Sequence, residues 1–263
     1  MNYSYVLGGL AVLFFFMLCA AIQVGRHLGG RRGAGEESGG AGAAAIEASV
    51  FALLGLLVAF TFSGAAQRMA ERRNLLVQEV NAIGTAWLRI DMLNPADQPA
   101  LRQLFRRYVD GRIDYYRHVA DLDERDQIAA GVNETQKEIW SASMQAAQRS
   151  TPPFAASYAG AVNDMFDLSA AQTVTQKIHP PVVTYVFLCF LAVICGYFVG
   201  LNLARAYRSA LIHQVLYALV MTAALYIIVD FEFPRIGAIR IDQADALLTA
   251  QRDAMKDPAH DTR

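Results

Sequence analysis

Four long apolar blocks limit what this chain can fold into. They cover residues 5–24, 48–66, 182–204 and 211–229, and each is close to the roughly 20 residues that an α-helix needs to cross the hydrocarbon core of a bilayer. Charged residues make up 18% of the chain and hydrophobic residues 54%, whereas about a quarter of the residues in a soluble domain are charged. The pattern predicts an all-α membrane protein with four transmembrane helices.

The first block resembles a signal peptide in its position but not in its composition. Met1 to Ser4 include no Lys or Arg, and the apolar run is longer than the hydrophobic part of a typical signal peptide. We therefore interpret it as an uncleaved span. The expected segments are transmembrane helix 1 at 1–24, a Gly-rich loop at 25–45, transmembrane helix 2 at 46–66, a helical soluble domain at 67–180, transmembrane helix 3 at 181–204, transmembrane helix 4 at 209–230 and a C-terminal tail at 231–263.

The second span is expected to continue as a helix into the soluble domain. No proline follows it before Pro95, and its apolar residues recur at steps of three and four, which is the period of an amphipathic helix. Further helical patterns at about 98–120, 133–149 and 154–178 would complete a four-helix bundle. We expect Trp87, Tyr108 and Trp140 in the core of this bundle.

Several classes of function are disfavoured by composition. The chain has 23 basic and 24 acidic residues, so no excess of positive charge indicates a nucleic-acid partner. Cys19, Cys189 and Cys195 lie in apolar runs without a CxxC pair, and no His pair has HxxxH spacing. No G-x-S-x-G motif occurs either. We therefore expect no metal, no cofactor and no enzymatic activity.

One face of the second span is the most informative feature. Ala52, Leu56 and Phe60 lie four residues apart, and Arg68 follows. If several copies packed this helix around an axis, the three residues would form an apolar constriction with a basic ring at its mouth, to which Arg72 would add. Alternatively, the face packs on neighbouring spans and Arg68 anchors the helix at the membrane boundary.

Other polar residues near the spans are candidates for helix–helix contacts. Glu47 stands at the entry of the second span, and Glu79 and Asn81 lie beside the apolar stripe of its extension. His213 lies inside the fourth block, where a polar residue has either a functional role or an interfacial position. Positive charge is nearly equal on the two sides of the membrane, so the positive-inside rule does not orient the chain.

Several segments resemble those of the bestrophin-like family of bacterial membrane proteins. They read AFTFSGAAQR, RMAERRNLLVQEVNAIGTAWLRIDML, EIW, IHPPVV and IIVDFEFPRIGAIRID. The resemblance covers roughly residues 43–250, nearly everything except the first span and the tail.

This resemblance implies kinship with bestrophins, which are pentameric anion channels that calcium gates in animals. Their pore-lining second helix carries three apolar residues four apart, with a basic residue eight positions after the last, as Phe60 and Arg68 reproduce here. Ala52 is small where a bulky residue is expected, and Ala59 replaces a glycine. No acidic cluster resembles the calcium site of the family.

The resemblance also implies a soluble domain, and both termini, on the cytoplasmic side of a bacterial inner membrane. The leading hypothesis is thus a homo-oligomeric, pentameric anion channel with a pore lined by the second span. The alternative is a non-conducting scaffold or signalling protein whose bundle binds a protein partner. Oligomeric state in detergent discriminates the two, because a pore through the second span requires a ring of subunits.

Overall fold

The structure, a computed structural model, describes residues 3–31, 40–118, 122–204, 210–233 and 242–256. Within these ranges every regular element is helical, which confirms the all-α prediction. The helices are α1 (Tyr3–Arg31), α2 (Gly40–Arg89), a short 3₁₀ turn (Ile90–Met92), α3 (Gln98–Arg117), α4 (Leu122–Gln148), α5 (Pro152–Lys177), α6 (Val182–Leu203), α7 (Ala210–Glu232) and α8 (Asp242–Ala254).

The chain divides into two compact units, and α2 contributes to both. Unit one contains Met1–Met69 and His179–Ala238, and unit two contains Ala70–Ile178 and Ile239–Arg263. In the part of the chain that the structure describes, four helices are long and apolar enough to cross a membrane. They are α1, the first part of α2, α6 and α7, so the protein is a multi-pass membrane protein with the four expected spans.

The core of unit one lies among its membrane-spanning helices. Leu18 of α1, Leu54 and Ala65 of α2, Leu188 of α6 and Ile228 of α7 belong to one buried apolar cluster. Because lipid tails are as apolar as these side chains, close van der Waals packing rather than the hydrophobic effect holds such helices together.

Helices α1 and α6 run in the same direction and cross with their backbones in close approach. A Cβ atom at Gly25 would lie 2.2 Å from the carbonyl oxygen of Tyr197, and a Cβ atom at Gly200 would lie 2.1 Å from that of Ile22. Only glycine fits at these two positions. Together with Gly29 and Gly196, they form one GxxxG pair on each helix, the spacing that lets membrane helices pack closely.

This crossing explains why the Gly-rich loop is shorter than the sequence suggests. Helix α1 continues to Arg31, past the expected end at residue 24, because its last turns pack on α6. Helix α2 begins at Gly40 rather than near residue 46, since the Ala-rich stretch that follows favours helix. Of the expected loop at 25–45, residues 32–39 lie outside the described residues.

Unit two is a helical bundle with more helices than expected. The extension of α2, α3, α4 and α5 supply the four helices that the sequence predicts, with α4 starting at Leu122 rather than near residue 133. Helix α8, placed in a tail by the sequence analysis, also packs here. Leu248 and Met255 are buried, and Arg252 forms hydrogen bonds of 2.7 and 3.0 Å with the carboxylate of Asp110 on α3.

The expected aromatic core of unit two is correct at two of its three positions. Tyr108 is fully buried and Trp87 is 5% exposed, with the guanidinium of Arg102 4.6 Å from the centre of the Trp87 ring. Trp140 is 41% exposed, so its expected place in the core is wrong. Its neighbour Ile139 is buried instead, since consecutive helix residues point about 100° apart.

Candidate functional site

Helix α2 has two different faces in unit one. Leu54 and Ala65 are buried in the apolar cluster shared with α6 and α7. On the other face, Phe60 is 66% exposed and Leu56 is 52% exposed, and Ala52 is exposed as well. Residues four apart lie above one another on a helix, so these three side chains form one apolar stripe. Among the described residues, none of the three belongs to the buried cluster of unit one or packs against it.

Phe62, two residues after Phe60, differs from it in its contacts within the subunit. Phe62 faces α7, where its ring centre lies 5.5 Å from that of Phe231. Two phenylalanines separated by one residue thus differ in their contacts: Phe62 is 41% exposed and contacts Phe231 of its own subunit, whereas Phe60 is the more exposed of the two. The subunit therefore presents an apolar stripe of α2 to whatever surrounds it.

The stripe is followed by a charged cluster where α2 leaves its apolar part. The Nε atom of Arg68 donates a hydrogen bond of 2.8 Å to Oε1 of Glu232, at the end of α7. The ring of His179, which precedes α6, stacks on Phe233 at 4.9 Å. Its Nδ1 atom lies 3.6 Å from Oε2 of Glu232. Glu232 is buried, and its charge balances that of Arg68.

This cluster brings together three of the segments that carry the family resemblance. Arg68 comes from AFTFSGAAQR, His179 from IHPPVV, and Glu232 from IIVDFEFPRIGAIRID. The later part of that last segment, residues 234–241, lies outside the described residues. Sequence analysis singled out Arg68 but missed its partners. The signal that could have found them is their position, since all three stand at the end of an apolar block.

Arg72 is buried within the subunit, so it does not add to the basic ring at the mouth of the constriction as expected. Its side chain is only 3% exposed. It donates hydrogen bonds to the carbonyl oxygens of Thr175 (3.3 Å) and Ile178 (3.0 Å) at the end of α5. The last carbonyl groups of a helix lack partners within that helix, and a cation there also interacts favourably with the helix dipole. Arg72 therefore caps α5.

Glu79 lies in the core of unit two as part of a buried ion pair. Arg112 of α3 donates hydrogen bonds of 2.6 and 2.9 Å to its two carboxylate oxygens, and the hydroxyl of Tyr116 donates a third of 2.9 Å. Burial alone would lower the pKa of Arg112, but Tyr116 and Glu79 raise it above its ordinary value. For nearby Tyr108, whose charged form is the anion, burial acts in the opposite direction and raises the pKa to about 12. The arrangement links α2 to α3.

The remaining polar candidates occupy three separate places. Glu47 accepts a hydrogen bond of 2.8 Å from Asn202 at the end of α6. Asn81 is exposed on α2, where it lines an open groove of about 410 Å³ with Asp164 of α5. His213 is exposed on the first turn of α7. These residues do not come together in one site.

A buried amide next to His213 escaped the sequence analysis. Gln214 of α7 accepts a hydrogen bond of 3.1 Å from Gln23 of α1 and donates one of 3.3 Å to the carbonyl oxygen of Cys19. Two glutamines inside apolar blocks were the available signal, since polar side chains within spans commonly bond across helices.

The described residues include no group of three or more His, Cys, Asp or Glu side chains placed to hold a metal ion. Cys19, Cys189 and Cys195 are free thiols.

Comparison with known proteins identifies the family. The model of the Bestrophin-like domain matches residues 10–246. No curated protein matches the chain. Two solved structures of variants of a bacterial bestrophin homolog from Klebsiella pneumoniae are similar in fold, with TM-scores of 0.65 and 0.64. Each is 14% identical, and the alignments cover 93% of this chain and 96% of the other. The family model matches nearly the whole chain. The chain, with its helical membrane unit and the exposed stripe on its second span, therefore belongs to the Bestrophin-like family.

Proposed function

We propose that the protein is the subunit of a homo-oligomeric, anion-selective channel, a pentamer, with a pore lined by α2. Membership of the Bestrophin-like family supports a channel-type membrane protein. The observation that carries the proposal is the stripe of Ala52, Leu56 and Phe60, which is exposed although the opposite face of α2 packs on its own subunit.

The stripe would form the narrowest part of the pore. When copies of α2 surround an axis, Leu56 and Phe60 place two successive apolar rings around it, one turn apart. A narrow apolar ring disfavours water and thereby impedes ions without any moving part. Ala52 is small, so the pore would be wider at its level. Ions passing through must shed part of their hydration shell at Phe60.

Beyond this constriction, α2 offers neutral polar side chains in the same helical phase. Ser63, Gln67, Asn74 and Asn81 follow Leu56 and Phe60 at steps of three, four or seven residues, and all four are exposed. Hydroxyl and amide groups donate hydrogen bonds to anions. We infer that they line the aqueous path after the apolar rings.

Arg68 would contribute the preference for anions. It is the first cation after Phe60 along α2, and part of its side chain remains exposed. Because Glu232 balances its charge, a ring of Arg68 side chains gives a modest preference rather than a strong one. In a conducting channel, Arg68→Gln should lower the chloride-to-potassium permeability ratio, measured from reversal potentials in a salt gradient.

The proposal is tested by recording current from the purified oligomer in planar bilayers. Phe60→Ala should widen the narrowest ring and raise conductance or open probability. Phe62→Ala is the matched control, because it removes the same side chain from a face that contacts Phe231 within the subunit. Silence of the wild type and of Phe60→Ala, each shown to be folded and oligomeric, would refute the channel.

A second candidate, a scaffold that binds a protein partner, is favoured by two exposed apolar side chains in unit two. Trp140 on α4 and Leu88 on α2 are both exposed, and large aromatic residues are common anchors of protein interfaces. This hypothesis expects no current from Phe60→Ala. It also expects Trp140→Ala to abolish capture of a specific partner while leaving the oligomer intact.

A further inference from the structure

Unit one contains a groove that the proposed pore does not use. It lies between α1 and α7, with α6 as its floor, and its volume is about 330 Å³. We call it the α1–α7 groove. Its walls are almost entirely apolar and include Leu7, Leu10 and Met17 of α1, Cys189 of α6, and Leu225 and Val229 of α7.

The groove opens on an exposed apolar surface of α1. Leu10, Leu13 and Met17 line it and are also exposed on the outer surface of α1, within a segment long and apolar enough to cross a membrane. It is therefore continuous with the contact between the protein and the bilayer. Water does not fill an apolar cleft at this depth, so the available occupant is hydrocarbon.

The length of the groove selects one kind of hydrocarbon. Along α1 it extends from Leu7 to Met17, which at 1.5 Å per residue is about 15 Å. That is half of the roughly 30 Å thickness of the hydrocarbon core, the depth that one acyl chain occupies in a single leaflet. Its volume also falls in the range of about 300–1,000 Å³ that ligand sites have.

We propose that the α1–α7 groove binds one acyl chain of a membrane phospholipid, from the leaflet in which α1 begins and α7 ends. The acyl chain lies parallel to the helices, against Cys189, between the side chains of α1 and α7 that line the groove. The proposal does not depend on conduction, because the groove is on a different surface from Phe60.

The test uses the full-length protein in phosphatidylcholine vesicles that contain a phosphatidylcholine with a diazirine on one acyl chain. After illumination, cross-linked residues are mapped by peptide mass spectrometry. We expect cross-links to the groove residues of α1 and α7 to exceed those to Leu211 and Leu219, exposed elsewhere on α7, by about tenfold. An excess of unlabelled phosphatidylcholine should suppress the groove cross-links in a saturable way. Cross-links distributed evenly over all exposed apolar residues would overturn the proposal.

Two substitutions at neighbouring positions of α1 distinguish lipid binding in the groove from lipid contact elsewhere on the helix. Ala11 lines the groove, whereas its neighbour Val12 is exposed and does not. Ala11→Trp should fill the space and remove the groove cross-links, and Val12→Trp should leave them unchanged. Equal effects would overturn the proposal. Cross-links from the groove to a second copy of the chain, instead of to lipid, would also overturn it and mark the groove as a subunit interface.

Discussion

At the scale of single residues, the charged side chains inside unit two are held by partners on other helices. Glu79 and Arg112 are almost completely buried, and each satisfies the other through two hydrogen bonds. Such a pair adds little net stability relative to apolar residues, but removal of one member leaves the other charge buried without compensation.

Glu79→Ala should therefore lower the free energy of unfolding by about 3–5 kcal/mol, seen as a lower thermal midpoint of the purified protein. The control is Glu134→Ala, which removes the exposed partner of Lys137 on α4, where the expected loss is below about 0.5 kcal/mol. Equal midpoints for the two variants would contradict the burial of the Glu79–Arg112 pair.

The two tryptophans provide a second matched comparison. Trp87→Ala removes a buried ring on which Arg102 and Arg106 stack, and should cost about 3–5 kcal/mol of stability. Trp140→Ala removes a ring that is largely exposed, and should cost about 0.5 kcal/mol or less. Chemical denaturation followed by circular dichroism measures both. A loss of stability for Trp140→Ala as large as that for Trp87→Ala would contradict the exposure of the Trp140 ring.

For the residues of α2, the sequence predicted the shared face of Leu56 and Phe60 but not the surroundings of Arg72, for a geometric reason. Four-residue spacing correctly placed Leu56 and Phe60 on one face. Arg72 follows Phe60 by twelve residues, which at about 100° per residue turns it some 120° away from that face. Its role as a cap for α5 depends on the packing of two helices distant in sequence, and no local pattern reports that.

At the scale of elements, the crossing of α1 and α6 depends on glycine. Gly25→Ala should force the two backbones apart, because its Cβ would lie 2.2 Å from the carbonyl oxygen of Tyr197. We expect a loss of about 1–3 kcal/mol, measured as a lower thermal midpoint in detergent. Gly9→Ala is the control on the same helix, since no atom lies within 4 Å of its Cβ position. An unchanged midpoint for Gly25→Ala would contradict the close crossing.

Helix α2 was the most predictable element and α8 the least. A continuous 3.6-residue period without proline predicts one unbroken helix through the membrane part of α2 and its extension, although the helix begins at Gly40, earlier than expected. Helix α8 is short and has a mixed surface. Its position depends on Arg252 pairing with Asp110 on a helix far away in the sequence, so the sequence alone left it in a tail.

At the scale of the whole molecule, four spans place the soluble segment and both termini on one side of the membrane, and we predict that this side is the cytoplasm. In a background with Cys19, Cys189 and Cys195 changed to Ala, Lys137→Cys should react with a membrane-impermeant maleimide only after cells are opened. His27→Cys, at the other end of α1, should react in intact cells. The reverse pattern would invert the topology.

The contact between Gln23 and Gln214 has a consequence for how the protein is made. The two residues are 191 positions apart, and at synthesis rates of about 5–20 residues per second the second emerges on the order of ten seconds or more after the first. For most of that interval the glycine surface of α1 lacks α6, and throughout it Gln23 lacks Gln214. The first span thus has to be retained, by the insertion machinery or by lipid, until the last span arrives to complete the unit.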